Sequence, residues 1–187
     1  MPDRVAVFID AQSVYKDARE AFFSPTDHYV RGQVDPVKFA QIIAGRRPLG
    51  SSTEPRVLTE VRVYAGLPSA ARDPRTYRAY RKQSHAWRAN GVEVVDRSIR
   101  YPPDWPKTRA EQKGVDVALA VDFVAMAIEG SFDVGVIAST DTDLRPAMEY
   151  ALTKARKVEV AAWRTDRYTK RLAVPGQEIW CHRLSKN

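Results

Sequence analysis

Short runs of β-branched and aromatic residues alternate along this chain with segments of helical length, and no other feature limits the fold as strongly. Arg4 to Asp10, Val134 to Ala138 and Val158 to Trp163 are apolar almost throughout, the pattern of strands buried on both faces; Val57 to Ala65 alternates at first, and Val92 to Asp96 is a further short strand. Between them lie helical signals. The segment after Asp10 reads as helix to about Phe22. Asp35-Pro36 and Asp73-Pro74 each set an N-cap before a proline at the first helical position, opening helices toward Ile43 and toward Asn90-Gly91. A helix runs to Ile128 with Gly130 as its stop, another covers Leu144 to Ala155, and Glu178 to Leu184 reads as a last short strand. The alternation predicts an α/β fold in which helices cover both faces of a mostly parallel sheet of about five strands.

The connections carry the rest. Gly45 to Pro55 reads as a flexible linker and the first candidate for disorder, and Ser24 to Gln33 as a loop. Arg97 to Arg109 holds three prolines, four basic residues, Tyr101 and Trp105, and reads as an ordered or hinged loop. Beyond it Thr108-x-x-Glu111 resembles a capping box, while Gly114 offers an alternative helix start near Val115. At 187 residues the chain is expected to form one domain, with a core over about residues 4–163 and a C-terminal extension over 164–187. The lone Cys181 excludes an intrachain disulfide, and the first residues lack the pattern of a secretion signal. The longest apolar stretches, Val117 to Val121 and Phe123 to Ile128, fall well short of the ~20 residues that cross a bilayer, so a cytoplasmic chain without a membrane partner is expected.

In a parallel sheet, ligands bind outside the carboxyl ends of the strands. Asp10 closes the first strand, and Asp141 and Asp143 follow the fourth. Asp116 lies at or near the first turn of a helix apolar from Val117 to Ile128 except for Asp122. Carboxylates gathered in one cleft repel one another unless a cation sits among them. The donors are almost purely oxygen, with the hydroxyls of Ser139, Thr140 and Thr142 nearby and no His or Cys, and such a set selects Mg²⁺ or Mn²⁺. Four of these acids also have a local reading: Asp10 and Asp143 as N-caps, Asp116 as a complement to its helix dipole, and Asp122 as a member of a buried network about 120° around the helix from Asp116.

Three blocks carry a resemblance to a known family: Val-Phe-Ile-Asp10-Ala-Gln-Ser13, Gln112-Lys-Gly-Val-Asp116 continuing to Asp122, and Ala138-Ser-Thr-Asp141-Thr-Asp143-Leu144. In this order they resemble the signature blocks of the NYN domain family, particularly its LabA-like branch, from Val5 to about Trp163. The resemblance implies a PIN-like three-layer α/β/α sandwich and metal-dependent ribonuclease activity. Asp10, Asp116, Asp141 and Asp143 match the family's acidic positions and would be its catalytic and metal-holding residues, with Asp122 at a further acidic position. The chain departs from the usual pattern at Ala11 and Ser13, where the family has Gly and Asn, and at Thr140 and Leu144, where it has a small residue and Phe.

The chain has 30 Lys and Arg against 23 Asp and Glu, a net charge of +7, which makes a polyanionic partner an early expectation. Arg97, Arg100, Lys107 and Arg109 surround Tyr101 and Trp105, a composition suited to single-stranded RNA, where bases stack on aromatic rings. Arg164 and Arg167, with Lys170 and Arg171, follow the fifth strand at the predicted active edge. On the helix after Asp73, Arg75, Arg78 and Lys82 form a basic stripe, either solvated or a phosphate track, opposite a stripe of Tyr77, Tyr80, Ser84 and Trp87 expected to face the core. Lys113, beside Asp116, is either a surface lysine or a phosphate contact. These readings predict an endoribonuclease using Mg²⁺ or Mn²⁺, with Ser13, Lys113, Asp122, Ser139 and Thr140 in supporting positions. The main rival is a non-catalytic RNA-binding protein of the same fold, which Ser13 and Thr140 would motivate. An aspartyl-phosphate phosphatase ranks third, because its Asp-x-Asp pair would follow the first strand. Association with a second copy of the chain stays open.

Overall fold

The computed structural model describes residues 1–48 and 55–186. Its strands are β1 (Asp3–Asp10), β2 (Arg56–Leu67), β3 (Glu93–Ser98), β4 (Val134–Ala138), β5 (Lys157–Trp163) and β6 (Trp180–Leu184). Its helices are α1 (Ala11–Phe22), α2 (Pro36–Ala44), α3 (Pro74–Ala89), α4 (Val115–Glu129) and α5 (Arg145–Thr153), with a short 3₁₀ turn at Thr142–Leu144. The six strands form one sheet in the order β3-β2-β1-β4-β5-β6, and every neighbouring pair is parallel. The sheet therefore has one strand more than the about five expected, and the segment after Trp163 returns to it as β6. Most of the Gly45–Pro55 linker lies outside the described residues.

Alternation of side chains along each strand divides the interior into two layers. Phe8 and Tyr64 pack with Leu119, Phe123 and Met148 under α4 and α5, whereas Val7, Ile9 and Val63 pack with Val14, Phe39 and Ile43 under α1 and α2. The result is a three-layer α/β/α sandwich. Its central strands are apolar on both faces because both faces are covered: β4 is buried at all five positions. Gly135 of β4 lies against two aromatic rings of the first layer. A Cβ there would lie 2.7 Å from the rings of both Phe123 and Phe132. Gly135→Ala is accordingly expected to destabilise the fold by about 1–3 kcal/mol. A urea midpoint no lower than that of the unsubstituted chain would contradict this.

Local signals hold in most places. Asp35 and Asp73 accept the backbone N–H groups of Lys38 and Thr76 as N-caps. The α3 stripe faces inward, although only Ser84 is fully buried and Tyr77, Tyr80 and Trp87 are half-buried, while Arg75, Arg78 and Lys82 are exposed. The capping box at Thr108 does not form: Thr108 donates to Asp104, and Glu111 instead pairs with Arg100 through two backbone hydrogen bonds of 2.9 Å. Helix α4 starts at Val115, after Gly114 in the left-handed region (φ 74°). Being apolar all round, α4 also turns Val117, Val121 and Ile128 to solvent. No described helix is long and apolar enough to cross a membrane.

One buried charge cluster crosses the α1/α2 layer. Glu159 of β5 accepts from Arg56 of β2 at 2.6 Å and meets Nε2 of His182 of β6 at 2.8 Å, and the side chains of all three are almost fully buried. Burial holds the His182 pKa below its ordinary 6.5, outweighing the attraction of Glu159. The geometry agrees, since Nδ1 is buried without a partner and a proton there would have no acceptor. A histidine kept neutral by folding contributes stability above 6.5 that is lost as pH falls below it. Urea midpoints are therefore expected to drop between pH 7.5 and 5.5, and more shallowly in His182→Gln; equal slopes in the two proteins would contradict this.

Candidate metal centre

The carboxyl ends of β1 and β4 lie side by side at the middle of the sheet, where successive strands β1 and β2 turn to one side and β4, β5 and β6 to the other. A crevice outside strand ends at such a point is the usual ligand position in this class of sheet. Asp10 ends β1. One of its oxygens accepts the backbone N–H groups of Gln12 (3.1 Å) and Ser13 (3.0 Å), capping α1, and the other accepts the Ser139 hydroxyl at 3.2 Å. The Ser139 oxygen accepts the backbone N–H of Asp141 at 3.1 Å, and Asp141 in turn accepts that of Asp143 at 3.0 Å. This chain of bonds runs from β1 into the loop after β4 and holds Asp141 and Asp143 in place.

One carboxylate oxygen from each of Asp116, Asp141 and Asp143 lies within 4.8 Å of the other two. Asp116 arrives in the first turn of α4; it is half-buried and Asp143 is exposed. No described lysine or arginine pairs with any of the three, and the neighbouring Lys113 turns to Glu111 at 3.2 Å. Three uncompensated carboxylates so close together fit a divalent cation by charge and by donor type, since every ligand is a hard oxygen. Asp10 adjoins this group without belonging to it. Burial raises its pKa, and the charge of Asp141 adds to that, against the opposing hydrogen bonds from Ser13, Ser139 and Gln12.

Asp122 is held elsewhere. Its carboxylate accepts from Arg62 at 3.1 Å and from the Tyr64 hydroxyl at 2.9 Å, tying α4 to β2. Ser13 and Thr140 meet each other: the Ser13 hydroxyl oxygen accepts the Thr140 backbone N–H at 3.1 Å, and the Thr140 hydroxyl donates to Asp17 at 2.7 Å. Two of the four departures from the family pattern are thus linked, with Ser13 holding the loop after β4 directly. Asp17, buried on α1 and near the Tyr168 hydroxyl, belongs to this network and escaped the sequence reading. Its signal was available: it lies four residues after Ser13, on the inward side with Val14 and Ala18.

The basic segments lie at the carboxyl ends of β3 and β5, on the same edge of the parallel sheet as the acidic group. Arg97 is exposed at the end of β3, Arg100, Lys107 and Arg109 are exposed in the loop beyond it, and Arg164 and Arg167 are exposed beyond β5. Tyr101 and Trp105 are half-buried and pack edge to face at 5.2 Å, with the Tyr101 hydroxyl accepting the Ser69 backbone N–H at 3.2 Å. They form an anchored pair rather than two free rings.

The NYN domain family matches this chain over residues 4–173. No curated protein matches it. Among solved structures, a protein of unknown function from Vibrio parahaemolyticus is similar in fold, with a TM-score of 0.56 at 20% identity over 90% of this chain and 85% of that one.

Proposed function

The chain belongs to the NYN domain family, with its PIN-like nuclease fold, and on that footing we propose that it is a metal-dependent endoribonuclease acting on single-stranded RNA. The observation that carries the reading is the group formed by Asp116, Asp141 and Asp143, three carboxylates within 4.8 Å and without a cationic partner among the described residues. These residues would hold one or two Mg²⁺ or Mn²⁺ ions. When bound, such ions supply Lewis acidity at a phosphodiester and make water a better nucleophile near neutral pH. Asp10 completes the acidic wall and, through Ser139, sets the position of Asp141. The arginines and lysines of the loops after β3 and β5 bind the phosphate backbone and orient the strand without reading its sequence. Expected partners are thus RNA and a divalent cation, in the cytoplasm.

Incubation of end-labelled single-stranded RNA with the purified chain tests this. Cleavage is expected with Mn²⁺ or Mg²⁺ and is lost on chelation; cleavage that persists in excess chelator, or its absence across varied RNAs, would overturn it. The engagement of Asp10 in local hydrogen bonds favours a second reading, an RNA-binding protein without turnover. Tight, salt-sensitive binding with no cleavage would select that reading. Ser139→Ala removes both the donor to Asp10 and the acceptor for Asp141, and by analogy with the partners that orient metal ligands it is expected to weaken Mn²⁺ binding about 10–100-fold. Calorimetric titration with Mn²⁺ measures this, and unchanged affinity would remove Ser139 from the site.

A further inference from the structure

Beside the acidic crevice, on the α1/α3 side of the sheet, lies a cavity of about 340 Å³ that the proposed chemistry does not use. Its floor is the carboxyl end of β1 and β2 at Ile9, Ala65 and Gly66, and Trp87 and Tyr80 of α3 contribute to its wall. Four glutamines reach it from four segments: Gln12, Gln33, Gln83 and Gln112. The one charged residue in the lining is Lys16, which is exposed. The hydroxyls of Tyr15 and Tyr80 are committed elsewhere, to the Tyr29 carbonyl and to Asp96.

The amides are the available polar groups. Gln83 donates to Gln33 at 2.8 Å, and whichever way the two amides are assigned, the pair leaves one NH₂ and one carbonyl uncommitted. Among the described residues the side-chain amides of Gln12 and Gln112 have no hydrogen-bond partner. Gln33 comes from a loop held by the Arg19 guanidinium, which donates to the carbonyls of His28 and Asp27 at 2.9 and 3.0 Å. Gln112 crosses the end of β2 so closely that a Cβ on Gly66 would lie 2.7 Å from it.

An apolar, aromatic cavity whose polar groups are chiefly neutral amides suits an uncharged planar ring with donors and acceptors on its rim. Glutamine amides pair with base edges, and aromatic rings stack on base faces. Position agrees with chemistry: Ala11 and Gln12 directly follow Asp10, and Gln112 precedes Asp116 by four residues. We propose that this cavity is a nucleobase subsite, which takes one unstacked base of the RNA strand whose phosphates lie at the acidic crevice, and which gives the enzyme a base preference that its arginines cannot. The subsite rests on the ribonuclease reading of that crevice.

The test is an abasic scan. Labelled RNA 9-mers, each with one base removed at a different position, are titrated against full-length Asp141→Asn protein by fluorescence anisotropy. One position is expected to show a loss of affinity on the order of tenfold, the scale of one stacked base. In Asp141→Asn carrying Gln83→Leu, and separately Gln112→Leu, that loss is expected to shrink below about twofold, with thermal midpoints confirming folded proteins. A flat scan, or the same loss in both variants, overturns the subsite; so does adenosine alone binding as tightly as a 9-mer. Cleavage of the intact 9-mer by the unsubstituted chain with Mn²⁺ is scored in parallel. Cleavage with a flat scan removes the subsite and keeps the nuclease, whereas a position-specific loss without cleavage removes the nuclease and keeps the subsite.

Discussion

Asp141→Asn is expected to lower kcat/KM for Mn²⁺-dependent RNA cleavage at least about 100-fold, equivalent to roughly 2.7 kcal/mol of transition-state stabilisation, while leaving the fold as stable as before or more so. The two halves of this expectation come from the same geometry. Asp141 is the carboxylate linked to the rest of the acidic edge, accepting the Asp143 backbone N–H and lying within 4.8 Å of both Asp116 and Asp143. Asn keeps the size and the carbonyl acceptor, so the 3₁₀ turn at Thr142–Leu144 keeps its cap. What it removes is one negative charge from a cluster with no cationic partner among the described residues, which relieves repulsion in the metal-free state and weakens the hold on a cation. Asp116→Asn and Asp143→Asn are expected to act alike. Steady-state cleavage assays with urea unfolding of the same preparations measure both halves. Activity within threefold of the unsubstituted chain, or a large loss of stability alongside lost activity, would mean that Asp141 serves the fold rather than the chemistry.

Glu159→Ala is expected to cost about 3–5 kcal/mol of stability. Glu159 sits between Arg56 and His182, its side chain and that of Arg56 each 6% exposed, and it accepts from both terminal nitrogens, Nη1 and Nη2, of the Arg56 guanidinium. Truncation leaves a buried guanidinium whose remaining partner among the described residues is the Arg46 carbonyl, and removes the hydrogen bond that the His182 side chain makes with Glu159. For a chain of this length the loss lowers Tm by on the order of 10 °C. Replacing the pair together, Arg56→Met with Glu159→Leu, is expected to recover most of the loss, because the cost of the single change comes from the stranded charge rather than from a large net gain of the ion pair. A single substitution within about 1 kcal/mol of the parent would show that water reaches Arg56 and solvates it.

The strand runs, the proline-preceded N-caps and the strand-end acids were legible because each depends on residues near in sequence. Val134 to Ala138 must be a fully buried strand, and Asp35-Pro36 must open a helix, whatever they pack against. The Thr108 capping box failed for the complementary reason: Arg100, eleven residues earlier, captures the backbone of Glu111. Asp17 and Glu159 were passed over because an acid in an amphipathic helix or a strand reads as solvated until its partners are known. Those partners, Thr140 and Arg56, stand 123 and 103 residues away.

For this protein, then, local sequence settles which segments are strands and helices and which acids stand at strand ends, since backbone propensity, capping and side-chain period act over a few residues. Tertiary structure alone decided that Asp116, Asp141 and Asp143 converge while Asp10 divides between its own helix and Ser139, and Asp122 turns to Arg62 and Tyr64. It also decided that four glutamines from separate segments share one cavity. The physical reason is that a carboxylate or an amide takes whichever donor packing brings within about 3 Å, and the order of the strands, not the order of the residues, sets that neighbour.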